Sequence, residues 1–167
     1  MRVVILVGHG APPTDCPPDL VARLKRLESE RRRAKRAAPS DEEAELDARI
    51  RRWPRTDATD PYRAGVESLG RALSTTLGPG GRVVVAFNEF CAPSLEDAVA
   101  EAVAAGATQV TVVPTMLTRG GVHSEVEIPE TIASLAQRFP ELSLRYAWPF
   151  DDAKLAALLA AHPLVAG

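Results

Sequence analysis

Two of the three histidines in this chain stand where a side chain can do chemistry. His9 lies between Gly8 and Gly10, directly after the apolar run Val3 to Val7, and His123 follows the Gly120-Gly121 turn. Glu89 closes a second apolar run at 83–87. Imidazole suits divalent first-row metals and exchanges protons near neutral pH. A carboxylate beside it offsets metal charge or stabilises imidazolium. Glu125 and Glu127 lie two and four residues beyond His123. On a helix, Glu127 shares a face with His123 and can orient it. The same acids also suit a first helical turn, whose dipole favours negative charge. His162, followed by Pro163, reads as a surface residue at a helix end.

Other chemistries find less support. The segment HGAPP at 9–13 lacks a dinucleotide fingerprint and a Lys-Ser/Thr pair, and RGG at 119–121 is too short to cradle phosphates. Ser68, Ser94 and Ser124 lack the glycine-flanked turn of a nucleophile. Cys91 is near enough to Glu89 to be a reactive thiol, but a free cysteine there reads first as a small hydrophobe.

These residues need elements to position them. Unbroken apolar runs read as buried parallel strands. Strands are expected at Val3 to Val7, Val83 to Phe87, Val110 to Val113 and Leu142 to Ala147. Between the first two lies a proline-rich loop through Pro18 and then a charged stretch. That stretch reads as a helical hairpin at about 20–60: a basic limb capped by Asp19, and an acidic-starting limb from Asp41 to Arg52, with Ser40 and Glu43 as a capping box. Its apolar stripe (Leu20, Leu24, Leu27; Leu46, Ile50) is thin, which predicts a peripheral or mobile element. A helix opens at Pro61 behind Asp60 and runs to Leu77, burying Val66, Leu69 and Leu73. Further helices are expected from Ser94 to Ala105, from Ser124 or Pro129 to Arg138, and from Asp151 to Ala161. The alternation predicts one domain over residues 1–167: a three-layer α/β/α sandwich with a mostly parallel four-stranded sheet and an inserted charged hairpin. Loops at the C-terminal ends of such strands form the site, so His9, Glu89 and His123 are placed to converge.

Composition bounds the partners. The chain has 167 residues, 46% of them hydrophobic, and a formal net charge of −2, which excludes a disordered tail or a basic coat for nucleic acid. The first apolar run is too short for a signal core or a membrane span, and two cysteines are too few for a disulfide framework, so a cytoplasmic protein without membrane or nucleic-acid partners is expected. Of the 20 basic residues, 17 are arginine, the better carboxylate clamp.

VVILVGHG near the start, AFNEFCAPSLEDAV in the middle and VVPTMLTRGGVHSEVEIP later together resemble the sirohydrochlorin chelatase family, over residues 2–10 and roughly 61–163. The resemblance implies a chelatase-like fold and insertion of cobalt, ferrous iron or nickel into sirohydrochlorin or a related carboxylated tetrapyrrole. The metal is then a substrate, and no cofactor is permanently bound. By the same resemblance His9, His123 and Glu89 match the metal-contacting and catalytic residues, Glu127 stands where many members have aspartate, and Ala11 stands where many have serine. Small members of the family are single-domain chains that form homodimers. Arg119, then Arg63 and the Arg31 to Arg36 cluster, are the candidate clamps for substrate carboxylates, with Gly10, Gly120 and Gly121 allowing close approach and Glu125 and Glu127 supporting His123. Two other readings stay open: a metal- or tetrapyrrole-binding protein for delivery or sensing, and a hydrolase acting through metal-bound water.

Overall fold

Seven residues, Arg2–Gly8, form β1, on which the rest of the sheet is built in the computed structural model, which describes residues 1–166. β1 pairs in parallel with β2 (Arg82–Phe87) on one side and β3 (Gln109–Pro114) on the other, and β3 pairs in parallel with β4 (Ser143–Tyr146). The spatial order is therefore β2-β1-β3-β4. The chain leaves β1 toward one edge and later returns to build β3 and β4 toward the other. This reversal opens a crevice above the C-terminal ends of β1 and β3.

Side-chain alternation along β1 serves two layers. Val3, Ile5 and Val7 face a core shared with Leu95, Ala98 and Val99 of α4 (Leu95–Ala104) and with Ile128 and Leu135 from the helix after β3. Leu6 faces the opposite core, with Phe87, Cys91 and Val66. Val66 belongs to α3 (Pro61–Leu77), which lies so close to β2 that a Cβ on Gly70 would collide with the Val85 side chain. Leu69, expected in this core, is 52% exposed, because the buried line of α3 runs through Val66, Gly70 and Leu73 and Leu69 lies off it.

The charged stretch folds as α1 (Pro18–Arg33) and α2 (Asp41–Arg51). Two cap assignments are corrected. Pro17 precedes the first residue of α1, and Asp19 sits inside the first turn. Ser40 caps α2 by accepting from the Glu43 backbone N–H, but the Glu43 carboxylate turns to Arg31 rather than back to Ser40, so the box is half formed. The thin stripe nonetheless builds a core of its own, in which Leu24, Ile50, Cys16 and Phe90 are buried. Two arginines bolt α2 and the following loop to the sheet. Arg51 donates to the carbonyls of Phe87, Asn88 and Cys91. Arg55 donates to Ala11, Ile50 and Phe90 and pairs with buried Asp60 at 2.8 Å.

After β3 the backbone makes a π-helical turn, His123–Glu127, that runs directly into α5 (Ile128–Arg138). Pro129 explains the change, since it has no N–H to give and fits only the first turn of an α-helix. The C-terminal α6 (Asp152–Ala160) and α7 (Pro163–Ala166) leave Leu158, Leu159, Leu164 and Val165 exposed. Among the described residues no helix is long and apolar enough to cross a membrane.

Candidate metal centre

The β1–β2 ladder does not stop where the strands end. The Asn88 N–H donates to Gly8 O and the Glu89 N–H to His9 O, which carries the segment after β2 alongside the segment after β1. Gly10 makes that approach possible. Its φ is +93°, and a Cβ there would collide with the Glu89 carbonyl oxygen. His9 is fixed by its backbone N–H, which donates to the Tyr62 hydroxyl, and by Nδ1, which lies 2.7 Å from Gly10 O. A carbonyl only accepts, so Nδ1 carries the proton and Nε2 keeps its lone pair. That Nε2 lies 4.0 Å from Glu89 Oε2.

His123 arrives from the other side of the crevice, at the start of the π turn. Its ring meets the His9 ring edge to face, with centroids 4.5 Å apart. Its Nδ1 lies 2.7 Å from Glu127 Oε2, and the Asn88 amide donates to the same oxygen at 2.9 Å. Burial pushes the Glu127 carboxyl up, but these two hydrogen bonds, with the Arg32 guanidinium beside it, hold it net below the usual carboxylate range. An ionised Glu127 therefore accepts the Nδ1 proton, and Nε2 of His123 is again the free ligand atom. One ligand atom each from His9, Glu89 and His123 lie within 4.8 Å of one another. Two imidazoles and one carboxylate at that spacing fit a first-row divalent ion, and three protein ligands leave coordination positions for something else.

Positive charge borders the cluster. Lys25 Nζ of α1 lies 2.9 Å from Glu89 Oε2 and 3.2 Å from Glu28 Oε2, and 4.6 Å from the Phe90 ring centre. Arg32 binds Glu127 Oε1 at 2.8 Å. Between α1–α2 and the sheet edge opens a cavity of about 700 Å³ lined in part by Arg31, Arg32, Asn88, Glu89, Phe90 and Glu127.

The other residues singled out in the sequence are dispersed. Arg119 is exposed on the loop before His123 and does not line the cavity. Arg63 pairs with Glu67 one turn along α3. Glu125 accepts from the Gly120 N–H, fixing the glycine turn rather than a histidine. Gly120 has φ +87°, and open space surrounds both it and Gly121. Cys91 is buried, and burial pushes its thiol up, which makes it a packing residue. The sequence reading assigns no role to Asn88 or Lys25, and gives Arg32 only the place of one member of a basic cluster that could clamp substrate, not that of a partner for Glu127. Asn88 had one legible signal, its place beside Glu89 at the strand end; the two basic residues are brought in by a helix whose docking the sequence does not encode locally.

Known proteins share the fold and part of the sequence. The sequence model of the CbiX family matches residues 59–163. The fold is similar to that of a CbiX protein from Marinobacter aquaeolei VT8, with 19% identity, a TM-score of 0.56, and coverage of 95% of this chain and 92% of that one. It is also similar to SirB from Bacillus subtilis with Fe3+ (20% identity, TM-score 0.47, 95% of this chain and 44% of that one). A third match is the sirohydrochlorin chelatase SirB from Bacillus subtilis subspecies spizizenii in complex with cobalt (20% identity, TM-score 0.48, 95% and 48%). This chain thus spans about half the length of the SirB chains. No curated protein matches it. With a family match over residues 59–163, more than half of its length, the chain belongs to the CbiX family.

Proposed function

We propose that this chain inserts a divalent metal ion into sirohydrochlorin or a related carboxylated tetrapyrrole. The observation that carries this reading is the cluster of His9, Glu89 and His123 ligand atoms within 4.8 Å at the mouth of the β1/β3 crevice, beside a cavity of macrocycle scale. Insertion exchanges one M2+ for two pyrrole N–H protons. Nε2 of His9 and of His123, with Glu89, would hold the incoming ion weakly enough to give it up, since a closed four-ligand site would retain it. Each imidazole freed by transfer can accept one of the two protons. Glu127 is placed to stabilise His123 once it is protonated.

The substrate's carboxylates need cationic partners. Arg31 and Arg32 line the cavity; Arg31 uses Nε for Glu43 and Arg32 uses one terminal nitrogen for Glu127, which leaves donors to spare. They are better placed for this task than Arg63. Arg119, on the open glycine turn with Gly120 and Gly121, would meet an edge of the ring that projects from the cavity. Cobalt, ferrous iron and nickel all suit the donor set, and supply rather than affinity would choose between them.

The test is the absorbance change of sirohydrochlorin on metal insertion, run with Co2+, Fe2+ and Ni2+. His9→Ala and His123→Ala are expected to lower the enzyme-dependent rate by at least about 100-fold. Binding of metal or tetrapyrrole without insertion would overturn the reading in favour of a carrier or sensor.

A further inference from the structure

Lys25 is a cation already seated against the carboxylate proposed to receive a metal. Its ammonium contacts Oε2 of Glu89, the same oxygen that faces Nε2 of His9. It is held there by a second acid, Glu28, and by the face of Phe90. The contact is specific to one element. Among the described residues Lys25 is the one lysine with an ion pair at the cluster, and α1 presents it from a backbone fixed by buried Leu24 next door and Leu27 beyond. Glu89 is mostly buried, its side chain 13% exposed, so without a cation it would be a poorly solvated charge.

From this geometry, and resting on the chelatase reading above, we propose that Lys25 is an internal placeholder cation that competes with the metal for Glu89 and so sets how weakly the site holds it. An arriving M2+ displaces Nζ from Oε2, and Nζ retreats to Glu28. When the ion leaves for the macrocycle, Nζ returns to Glu89 and neutralises the carboxylate that would otherwise draw the ion back. The ammonium thus lowers affinity for free metal and favours release, which a transfer enzyme needs and a storage site does not. Lys25 keeps its proton throughout: the ammonium moves between Glu89 and Glu28 while the M2+ comes and goes, so the exchange itself transfers no proton.

Two measurements on the full chain test this. Co2+ titration followed by its visible absorption should show roughly three- to tenfold tighter binding in Lys25→Met and Lys25→Gln, with a matching slower loss of Co2+ to a competing chelator. Lys25→Arg should stay near wild type because the charge remains, and so should Lys35→Met on the exposed loop after α1. A merely structural role for Lys25 would leave affinity unchanged or weaken it, and either result overturns the proposal. The second measurement needs no variant. Acetylation of Lys25 in the wild-type protein, read by mass spectrometry, should rise severalfold on saturation with Co2+ while that of Lys154 does not; equal labelling with and without metal overturns the proposal. Absence of any Co2+ signal that His9→Ala removes would instead overturn the chelatase reading itself, and this inference with it.

Discussion

At the scale of single residues, the two histidines differ in how they are held. His9 is oriented by its own backbone neighbourhood, Gly10 O and the Tyr62 hydroxyl, whereas His123 depends on the Glu127 carboxylate, which the Asn88 amide in turn holds by donating to it. The π turn carrying His123 is in turn tied to the sheet by Tyr146 of β4, whose hydroxyl donates to Ser124 O at 2.8 Å. Burial, aided by the nearby Glu125 charge, pushes the Tyr146 phenol up from its ordinary 10 to about 12. The sign follows from the neutral form being the one the fold favours. The contribution of Tyr146 to stability is intact below pH 10 and is lost as pH rises through about 12. A tyrosinate absorbance titration should therefore show one transition delayed toward pH 12, and Tyr146→Phe should remove it. A Tyr146 transition at the ordinary value would show that the phenol is not buried in solution.

At the scale of elements, the hairpin is where composition misleads. Its helices carry few apolar residues, and a thin stripe predicts loose attachment. The attachment is strengthened beyond that stripe by guanidinium groups reaching backbone carbonyls at the end of β2, contacts that hydrophobic periodicity cannot register. Arg55 is central, because its side chain is 4% exposed and its partner Asp60, the cap of α3, is 1% exposed. Removing one member of a buried pair strands the other charge. Arg55→Leu is expected to destabilise the protein by about 3–5 kcal/mol in urea denaturation. A loss below 1 kcal/mol would mean that the loop after α2 is held by something other than this pair.

At the scale of the whole molecule, we propose that residues 1–167 fold as one domain, since the hairpin core shares Phe90 with the segment that positions Glu89. Trp53 reports on the hairpin and Trp148 on the segment after β4, so unfolding followed by tryptophan fluorescence and by far-UV circular dichroism should give coincident transitions. Separate transitions would mark the hairpin as an independent unit. How much of this was legible beforehand follows from what is local. The runs Val3 to Val7, Val83 to Phe87 and Val110 to Val113 specify strands buried on both faces, and the glycines around His9 and before His123 mark where the chain must turn or approach closely. Those signals lie within a few residues of the feature they predict, and with the family's three motifs they were sufficient for the fold and for the trio of His9, Glu89 and His123. By contrast, the roles of Lys25 and Arg32 depend on how α1 docks across strand ends more than 60 residues away in sequence, and that of Asn88 on the π turn that brings Glu127 to it. Side-chain type and spacing determine which groups can bind a metal. Only the tertiary structure decides which opposite charge each one faces, because that pairing is set by the packing of distant elements and has no period in the sequence.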